Sequence, residues 1–354
     1  MRVLYFGTYE RGYPRNAQVI SCLRGAGVDV VEHHVDLWDR AEHKFRAGPL
    51  AAAQIAIAEL RLLARPRAEF DAIIVGYPGH FDVPRAKRVA RGRPLVFNPL
   101  VSLSDTFVSD RGRFRDGSLA SRVLFAVDRR ALRRSNLVVA DTEANADFLA
   151  RLAGIPRECV AVCLVGAEER IFEPGWTPPE RFTALFVGKL IPLHGLETIL
   201  EAASRAPEIP FRIVGSGQLD DLLAARSPNV EWVPWVTYEL LPNELHRAGC
   251  ALGIFGTSDK ATRVIPNKAF QALACGTPLV TGDTPGAREL LVDGESALLV
   301  PPGDADALAA AVRSLAADQE LQVHLSGGGL YTYQERASEA VLGERWRGLI
   351  EALL

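Results

Sequence analysis

Short apolar runs alternate with segments of helical periodicity from one end of the chain to the other. The runs are rich in valine, isoleucine, leucine and aromatic residues, with little apolar–polar alternation. Such runs are typical of strands buried on both faces, as in a parallel sheet covered by helices, and indicate an α/β fold. The predicted strands are RVLYF, VDVVEHHV, AIIVGY, PLVFNP, LVVAD and VAVCLVG, then TALFVG, FRIVGSG, VEWVPWV, CALGIFG, PLVTG and ALLVPP.

These runs form two sets, which predict two Rossmann-like, doubly wound parallel-sheet domains. Residues 172–182, FEPGWTPPERF, interrupt all periodicity with three prolines and a glycine and predict the link between them. We place the domains at 1–175 and 176–335. Residues 336–354 predict a C-terminal helix that can cross back onto the first domain. Ligands bind beyond the carboxyl ends of parallel strands, so two facing sheets predict a cleft site.

Composition narrows the class of protein. The 354 residues are 48% hydrophobic and 23% charged, as in globular proteins, and a net charge of -3 argues against nucleic acid as a partner. The five cysteines mostly lie in apolar runs, which suits reduced thiols, and the N-terminus has no signal-peptide or membrane-span pattern. We therefore expect a cytoplasmic protein.

Polar residues follow several predicted strands of the first half. Gly12 and Arg15 follow the first strand, where a helix start favours anions, although an ordinary exposed turn explains them equally well. His80 follows AIIVGY, and we favour a site role over a structural one. Asp105 and Arg111 lie in a long polar loop that predicts ligand contact, the alternative being a solvated charged loop.

The second half has its own post-strand loops. Gly188, Lys189 and His194 lie between a predicted strand and the start of a predicted helix. This arrangement predicts a diphosphate-binding site. Gly215 and Gly217 follow FRIV, where the lack of side chains permits close ligand approach.

Lysine is rare here, so its positions are informative. Only five of the 40 basic residues are lysines, and Lys189, Lys260 and Lys268 all lie in post-strand segments of the second half. Together with Arg263 they predict an anion site.

Several blocks, in order, resemble the retaining nucleotide-sugar glycosyltransferases of the GT-B fold, the family 4-like "glycosyl transferases group 1". The matching blocks are VGAEERIFEP, LFVGKLIPLHGLETILEA, FRIVGSGQL and KAFQALACGTPLVTGDTPGARELL. The resemblance covers nearly the whole chain, and the order of the blocks is more specific than any one of them. It implies an acceptor-binding first domain, a donor-binding second domain, and contacts of Gly12, Arg15, Asp105 and Arg111 with the acceptor.

The resemblance also implies roles for basic residues. Lys189 and His194 occupy the two basic positions that hold the donor diphosphate, although the family has arginine and lysine there. His80 matches a first-domain histidine near the reacting sugar. Pro266, Asn267 and Lys268 resemble a Pro-x-Lys found in some branches.

Two family glutamates, eight positions apart, are replaced. Gln271 stands where the second grips the nucleotide ribose, and it can still bond hydroxyls. Arg263 stands at the first, near the donor sugar, which suggests a donor bearing an anionic group. We expect the catalytic set to comprise His80, Lys189, Arg263 and Lys268.

The resemblance implies transfer of a sugar from a nucleotide diphosphate to an acceptor hydroxyl, with retention, without metal and without a cofactor. Two alternatives stay open. One is a nucleotide-sugar epimerase of the same fold. The other is a non-catalytic sugar-nucleotide binder, which is motivated by Arg263 and Gln271 at the glutamate positions. A nicotinamide dehydrogenase is disfavoured because no Gly-x-Gly-x-x-Gly follows a strand.

The basic segment 111–136 allows weak peripheral contact with the inner face of the membrane. A solvated arginine-rich face is the favoured alternative. The sugar, the base, the acceptor and the oligomeric state stay open.

Overall fold

A computed structural model describes residues 1–37, 49–64, 66 and 68–354. The chain forms two compact units, Met1–Leu164 with Glu339–Leu354, and Val165–Ser338. The sequence placed the domain boundaries at 175/176 and 335/336, and the roles assigned to the two domains stay predictions.

The first unit is built on a parallel sheet. Its strands are β1 (Arg2–Gly7), β2 (Asp29–His34), β3 (Ala72–Val75), β4 (Leu95–Phe97), β5 (Leu137–Ala140) and β6 (Val160–Val162). Its helices are α1 (Pro14–Gly25), α2 (Pro49–Arg61), α3 (Val83–Ala90), α4 (Leu119–Arg134) and α5 (Glu143–Ala153). The order β2-β1-β3-β4-β5-β6 places the switch point between β1 and β3.

Residues of β1 show why these strands are apolar throughout. Leu4 and Phe6 point into one core and Val3 and Tyr5 into a second core, and all four are fully buried. Since neighbouring side chains point to opposite faces, a strand covered on both faces needs apolar residues at every position.

The second unit repeats this design. Its strands are β7 (Ala184–Val187), β8 (Phe211–Val214), β9 (Val230–Val233), β10 (Cys250–Leu252), β11 (Leu279–Gly282) and β12 (Leu298–Val300). Its helices are α6 (Leu196–Arg205), α7 (Leu241–Arg247), α8 (Asp259–Arg263), α9 (Asn267–Cys275), α10 (Pro285–Arg288), α11 (Ala305–Ala317) and α12 (Gln319–Arg336). The order β12-β11-β10-β7-β8-β9 places the switch point between β7 and β10. Each predicted apolar run overlaps one of the observed parallel strands.

The last helix, α13 (Glu339–Glu351), belongs to the first unit and packs along α1. A Cβ atom on residue 343 would lie 2.4 Å from the Cys22 carbonyl oxygen, so glycine lets the two helices approach closely. Trp346 and Ile350 are buried in the same core as β1. This helix thus completes the core of the first unit.

Candidate functional site

The loops that follow β7 and β10 meet at the switch point of the second sheet. The Phe255 N–H donates to the His194 carbonyl oxygen over 3.1 Å. Gly195, at φ +68°, begins α6, and a Cβ atom there would lie 2.6 Å from the amide nitrogen of Gly256. This backbone contact holds the two loops together where a doubly wound sheet binds its ligand.

Lys268 lies in the first turn of α9 and faces this junction. Its side chain is buried, with the residue 9% exposed. Its Nζ lies 3.6 Å from the centroid of the Phe186 ring, and a Cβ atom on residue 188 would lie 2.9 Å from Nζ. Within the described residues Nζ has no hydrogen-bond partner. Burial lowers the pKa of the Lys268 ammonium well below its ordinary value.

His194 lies beside Lys268 on the other side of Gly188. A Cβ atom on residue 188 would lie 3.5 Å from Cε1 of His194, and the imidazole meets the Phe186 ring edge-on at 5.6 Å. Nδ1 contacts the Lys189 carbonyl oxygen, so it carries a hydrogen and donates. The structure thus brings Gly188, His194 and Lys268 together.

Further cations lie around this junction. The helix α8, which carries Lys260 and Arg263, packs beside the turn Pro192–His194. Lys260 is buried, Arg263 is half-buried, and Lys189 is exposed at the start of the post-β7 loop. Several basic side chains therefore come from segments that adjoin the switch point, which suits an anionic ligand.

The structure gives Gly215 and Gly217 a packing role. Gly215 has φ +141°, and a Cβ atom there would lie 1.9 Å from the Gly188 carbonyl oxygen. A Cβ atom on residue 217 would lie 2.5 Å from the Leu190 carbonyl oxygen. These glycines let the post-β8 loop pack on the post-β7 loop, and their predicted donor contact stays a prediction.

The start of α9 supplies backbone donors next to Lys268. Pro266 is the N-cap residue and Asn267 the first helical residue. Gln271, one turn beyond Lys268, is buried and donates from Nε2 to the Tyr238 hydroxyl over 3.3 Å. A helix N-terminus and a buried cation together make a site for phosphate oxygens.

His80 is enclosed within the first unit. The residue is 2% exposed; Nδ1 lies 3.0 Å from the Pro78 carbonyl oxygen, and Nε2 lies 3.4 Å from Oδ1 of the fully buried Asp128. Both ring nitrogens thus face protein atoms, which gives His80 a structural explanation. Its contact with a reacting sugar stays a prediction.

Arg15 is fully buried, unlike the exposed Gly12 in the same segment. Its guanidinium donates to Oδ1 of Asn98 at 3.1 and 3.2 Å and to the carbonyl oxygens of Cys163 and Leu164 at 3.2 and 2.8 Å. Oxygen atoms of the protein itself therefore pair the buried guanidinium of Arg15, and its predicted contact with the acceptor substrate stays a prediction.

Asp105 is the first residue of a short π-helix, Asp105–Asp110, and Arg111 follows its last residue. Asp105 is buried, whereas Arg111 is half-buried with its guanidinium 5.7 Å from the centroid of the Phe107 ring. Burial raises the pKa of Tyr77 to about 12, and the Arg111 charge opposes that rise. Arg111 is thus the member of this pair that lies beside partly exposed aromatic residues.

Sequence reasoning missed a buried carboxyl pair at the first switch point. Asp82 accepts from the Thr8 N–H over 2.7 Å, and its charge acts on the buried carboxyl of Glu59 in α2. Burial and the Asp82 charge hold the pKa of Glu59 well above its usual range. Neither carboxyl belongs to a recognisable motif, since their meeting depends on the packing of α2.

No helix within the described ranges combines the length and apolar character that crossing a bilayer requires. The same ranges contain no group of three or more His, Cys, Asp or Glu side chains arranged to hold a metal ion. Metal independence stays a prediction.

Two Rossmann-like units with this strand order have the architecture of the GT-B fold. Among solved structures, sucrose-phosphate synthase from Thermosynechococcus elongatus has a TM-score of 0.77 at 18% identity, covering 99% of this chain and 98% of that one. Anabaena HepE in complex with UDP-glucose has a TM-score of 0.70 at 18% identity, covering 100% of both chains. The predicted fold is confirmed.

Residues 181–318 match the family Glycosyl transferases group 1. Over 212 residues the chain is 23% identical to the lipopolysaccharide core biosynthesis glycosyltransferase LpsE of Rhizobium meliloti, covering 53% of this chain and 60% of that protein. It is 29% identical over 223 residues to the D-inositol 3-phosphate glycosyltransferase of Streptomyces bingchenggensis, and the match covers 55% of this chain and 48% of that protein. The chain spans about half the length of the curated relatives it matches. The chain thus resembles group 1 glycosyltransferases in sequence and has the GT-B fold, as its sequence predicted.

Proposed function

We propose that this protein is a glycosyltransferase that moves a sugar from a nucleotide-diphosphate donor to an acceptor hydroxyl, with retention of anomeric configuration and without a metal. The buried Lys268 side chain carries the proposal, because it faces the second switch point and its Nζ has no hydrogen-bond partner among the described residues. An unpaired buried cation is costly unless an anion completes the site. A donor diphosphate is such an anion.

The same geometry suits the chemistry. Negative charge grows on the diphosphate as the sugar leaves, so donors already aimed at it lower the barrier. Lys268, the α9 N-terminus and the neighbouring His194 would supply this stabilisation. Retention would then follow from front-face attack, in which the leaving phosphate takes the acceptor's proton and no enzyme nucleophile is needed.

The test is turnover of UDP-, GDP-, ADP- and TDP-sugars with a panel of hydroxyl acceptors. We expect nucleotide release that depends on acceptor and persists in EDTA, and a product whose anomeric proton shows retention by NMR. Inversion, or loss of rate in EDTA, would refute those parts of the proposal. Nucleotide binding with no release under any condition would instead support the non-catalytic binder that Gln271 and Arg263 suggest.

In the first unit we propose that Arg111, with the neighbouring aromatic residues Tyr13 and Tyr77, contacts the acceptor. The two tyrosine rings lie 4.6 Å apart and are partly exposed. We expect Arg111→Ala to raise KM for the acceptor and leave KM for the donor unchanged. An effect on the donor alone would exclude this assignment.

Peripheral membrane contact and a cytoplasmic location are further proposals. The helix α4 exposes Leu119 (80%) and Val123 (53%) next to the exposed Arg122. Apolar and basic residues on one face suit an anionic bilayer. We expect flotation with vesicles rich in phosphatidylglycerol that is lost at high salt and in Val123→Asp; no flotation at low salt would contradict this proposal.

A further inference from the structure

The side chain of Asn16 is the centre of a hydrogen-bond network next to the first switch point. Asn16 lies in the first turn of α1 and is 0% exposed. Its Nδ2 donates to the carbonyl oxygens of Glu10 and Tyr77 over 2.9 and 2.7 Å. Its Oδ1 accepts from the Tyr5 hydroxyl over 2.9 Å and from the Tyr77 N–H over 3.0 Å. One buried amide thus uses both of its donors and both of its acceptor positions.

These partners fix the orientation of the Asn16 amide. Carbonyl oxygens only accept, so the NH2 group must face the carbonyls of Glu10 and Tyr77. Oδ1 then faces the Tyr77 N–H, so one side chain pairs both backbone groups of residue 77. A Cβ atom on residue 76 would lie 2.8 Å from Oδ1 of Asn16, so glycine there permits this approach. The loop after β3 is therefore fastened to α1 at Tyr77.

The fastened residue carries one of the two partly exposed tyrosine rings of the first unit that face each other. The Tyr77 and Tyr13 rings have centroids 4.6 Å apart and planes inclined by 40°. Tyr13 is the N-cap residue of α1, three positions before Asn16. Since Asn16 belongs to the same helix start as Tyr13 and holds the backbone of Tyr77, it sets the placement of one ring relative to the other.

We propose that Asn16 is a positioning residue that holds the Tyr77 ring beside Tyr13, so that the two rings contact the acceptor as one surface. This inference rests on the proposed function, which assigns both tyrosines to the acceptor. Asn16 is fully buried, so it acts through Tyr77 and does not touch the acceptor. Rings fixed before the acceptor arrives need not be ordered on binding, which favours affinity.

The first test uses Asn16→Asp. Aspartate has nearly the same shape, but its carboxylate has no hydrogen to give to the two carbonyl oxygens. The Tyr77 backbone then loses one of its two bonds and the ring loses its fixed place. We expect KM for the acceptor to rise about two- to tenfold, the scale of one aromatic contact, and KM for the donor to stay unchanged. The substrates are the nucleotide sugar and the sugar or polyol acceptor that wild type turns over fastest.

A milder variant covers the case in which Asn16→Asp does not fold. Tyr5→Phe removes only the hydroxyl that donates to Oδ1 of Asn16 and leaves the other three bonds of the amide in place. We expect the acceptor KM to rise in this variant too, by a smaller factor, again with the donor KM unchanged.

The second test separates positioning from a structural role. Tyr77→Ala removes the ring and keeps the backbone N–H and carbonyl oxygen that Asn16 binds. Asn16→Asp should therefore raise the acceptor KM in the wild-type background and have little further effect in the Tyr77→Ala background. Asn229→Asp is the matched control, since Nδ2 of Asn229 donates to three backbone carbonyl oxygens of the second unit over 2.8–3.0 Å. It should lower the melting temperature and leave both KM values unchanged.

The outcomes are distinguishable. Three results overturn the inference and leave the proposed function intact: an unchanged acceptor KM in the folded variants, an equal rise of acceptor and donor KM, or an equal rise with and without the Tyr77 ring. If wild type transfers no sugar from any nucleotide sugar to any acceptor, the proposed function fails and this inference fails with it.

Discussion

Replacing Lys268 with methionine should make the free protein more stable and make nucleotide binding weaker. Methionine has a similar length and is apolar, so it keeps the contact with Phe186 and removes the buried ammonium. The ammonium now lies 3.6 Å from that ring centroid with no hydrogen-bond partner among the described residues. One substitution should therefore change stability and binding in opposite directions.

The magnitude follows from the burial of an unpaired polar group, which costs about 1–3 kcal/mol. Relief of that cost should raise the melting temperature of the second unit by roughly 2–12 °C, given about 2–4 °C per kcal/mol for a domain of this size. A hydrogen bond to a charged group contributes about 1.5–3 kcal/mol, so UDP affinity should fall about 10- to 150-fold.

The pH dependence has a definite sign. Because burial lowers the pKa of Lys268 below that of the unfolded chain, the unfolded state holds more protons in the interval between the two values. Wild-type stability should therefore rise with pH toward the ordinary lysine value of 10.5, and the advantage of the methionine variant should shrink. An arriving diphosphate favours the ammonium, so binding should take up protons.

Calorimetric melting of both proteins across pH, and titration with UDP in buffers of different ionisation enthalpy, measure these effects. Lys87→Met is the control, since Lys87 is exposed and donates to Asn136 over 3.3 Å. It should change stability by less than about 0.5 kcal/mol and leave UDP binding unchanged. Destabilisation by Lys268→Met, or unchanged UDP affinity, would refute the assignment of Lys268 as a buried amino group that binds an anion.

Three further predictions concern packing and buried charge. Gly215→Ala should lower the melting temperature, because its Cβ would lie 1.9 Å from a carbonyl oxygen. Gly12→Ala should leave the melting temperature unchanged, because its Cβ would have nothing within 4 Å. Equal melting temperatures of the two variants would contradict this prediction. Arg15→Met should destabilise by about 1.5–3 kcal/mol in denaturant titrations, since it leaves buried acceptors unpaired, and a variant as stable as wild type would argue for a ligand role instead. The pKa of Glu59 is raised, so its stabilising effect is present at low pH and is lost as pH rises above the ordinary carboxyl range. In Glu59→Gln the melting temperature should therefore fall less with rising pH than in the wild type. Parallel curves of melting temperature against pH for the two proteins would exclude this role.

The strands could be predicted from the sequence because burial on both faces of a sheet requires a short run of apolar residues. Each strand in such a sheet must be apolar at consecutive positions, as the runs around Leu4 and Phe186 are, and that requirement is visible in a few residues of sequence. The blocks that resemble group 1 glycosyltransferases likewise lie within short stretches, so the family could be predicted with them.

Roles of individual polar residues depended on neighbours far away in the chain. Arg15 looked like an exposed cation near a helix start, yet its acceptors come from residues 98, 163 and 164. The need for glycine at position 215 likewise comes from the backbone of another loop, 27 positions away at Gly188. Nothing local to either residue could have shown these partners.

The sequence alone determined the α/β class, the two sets of parallel strands and the cations that precede α9, since each depends on residues close together in the chain. Only the tertiary structure decided that the Lys268 ammonium is buried beside Phe186, and that the Gln271 amide donates to the Tyr238 hydroxyl. The physical reason is that pKa and hydrogen-bond orientation depend on which atoms surround a group. Those atoms come from segments that only the folded chain brings together.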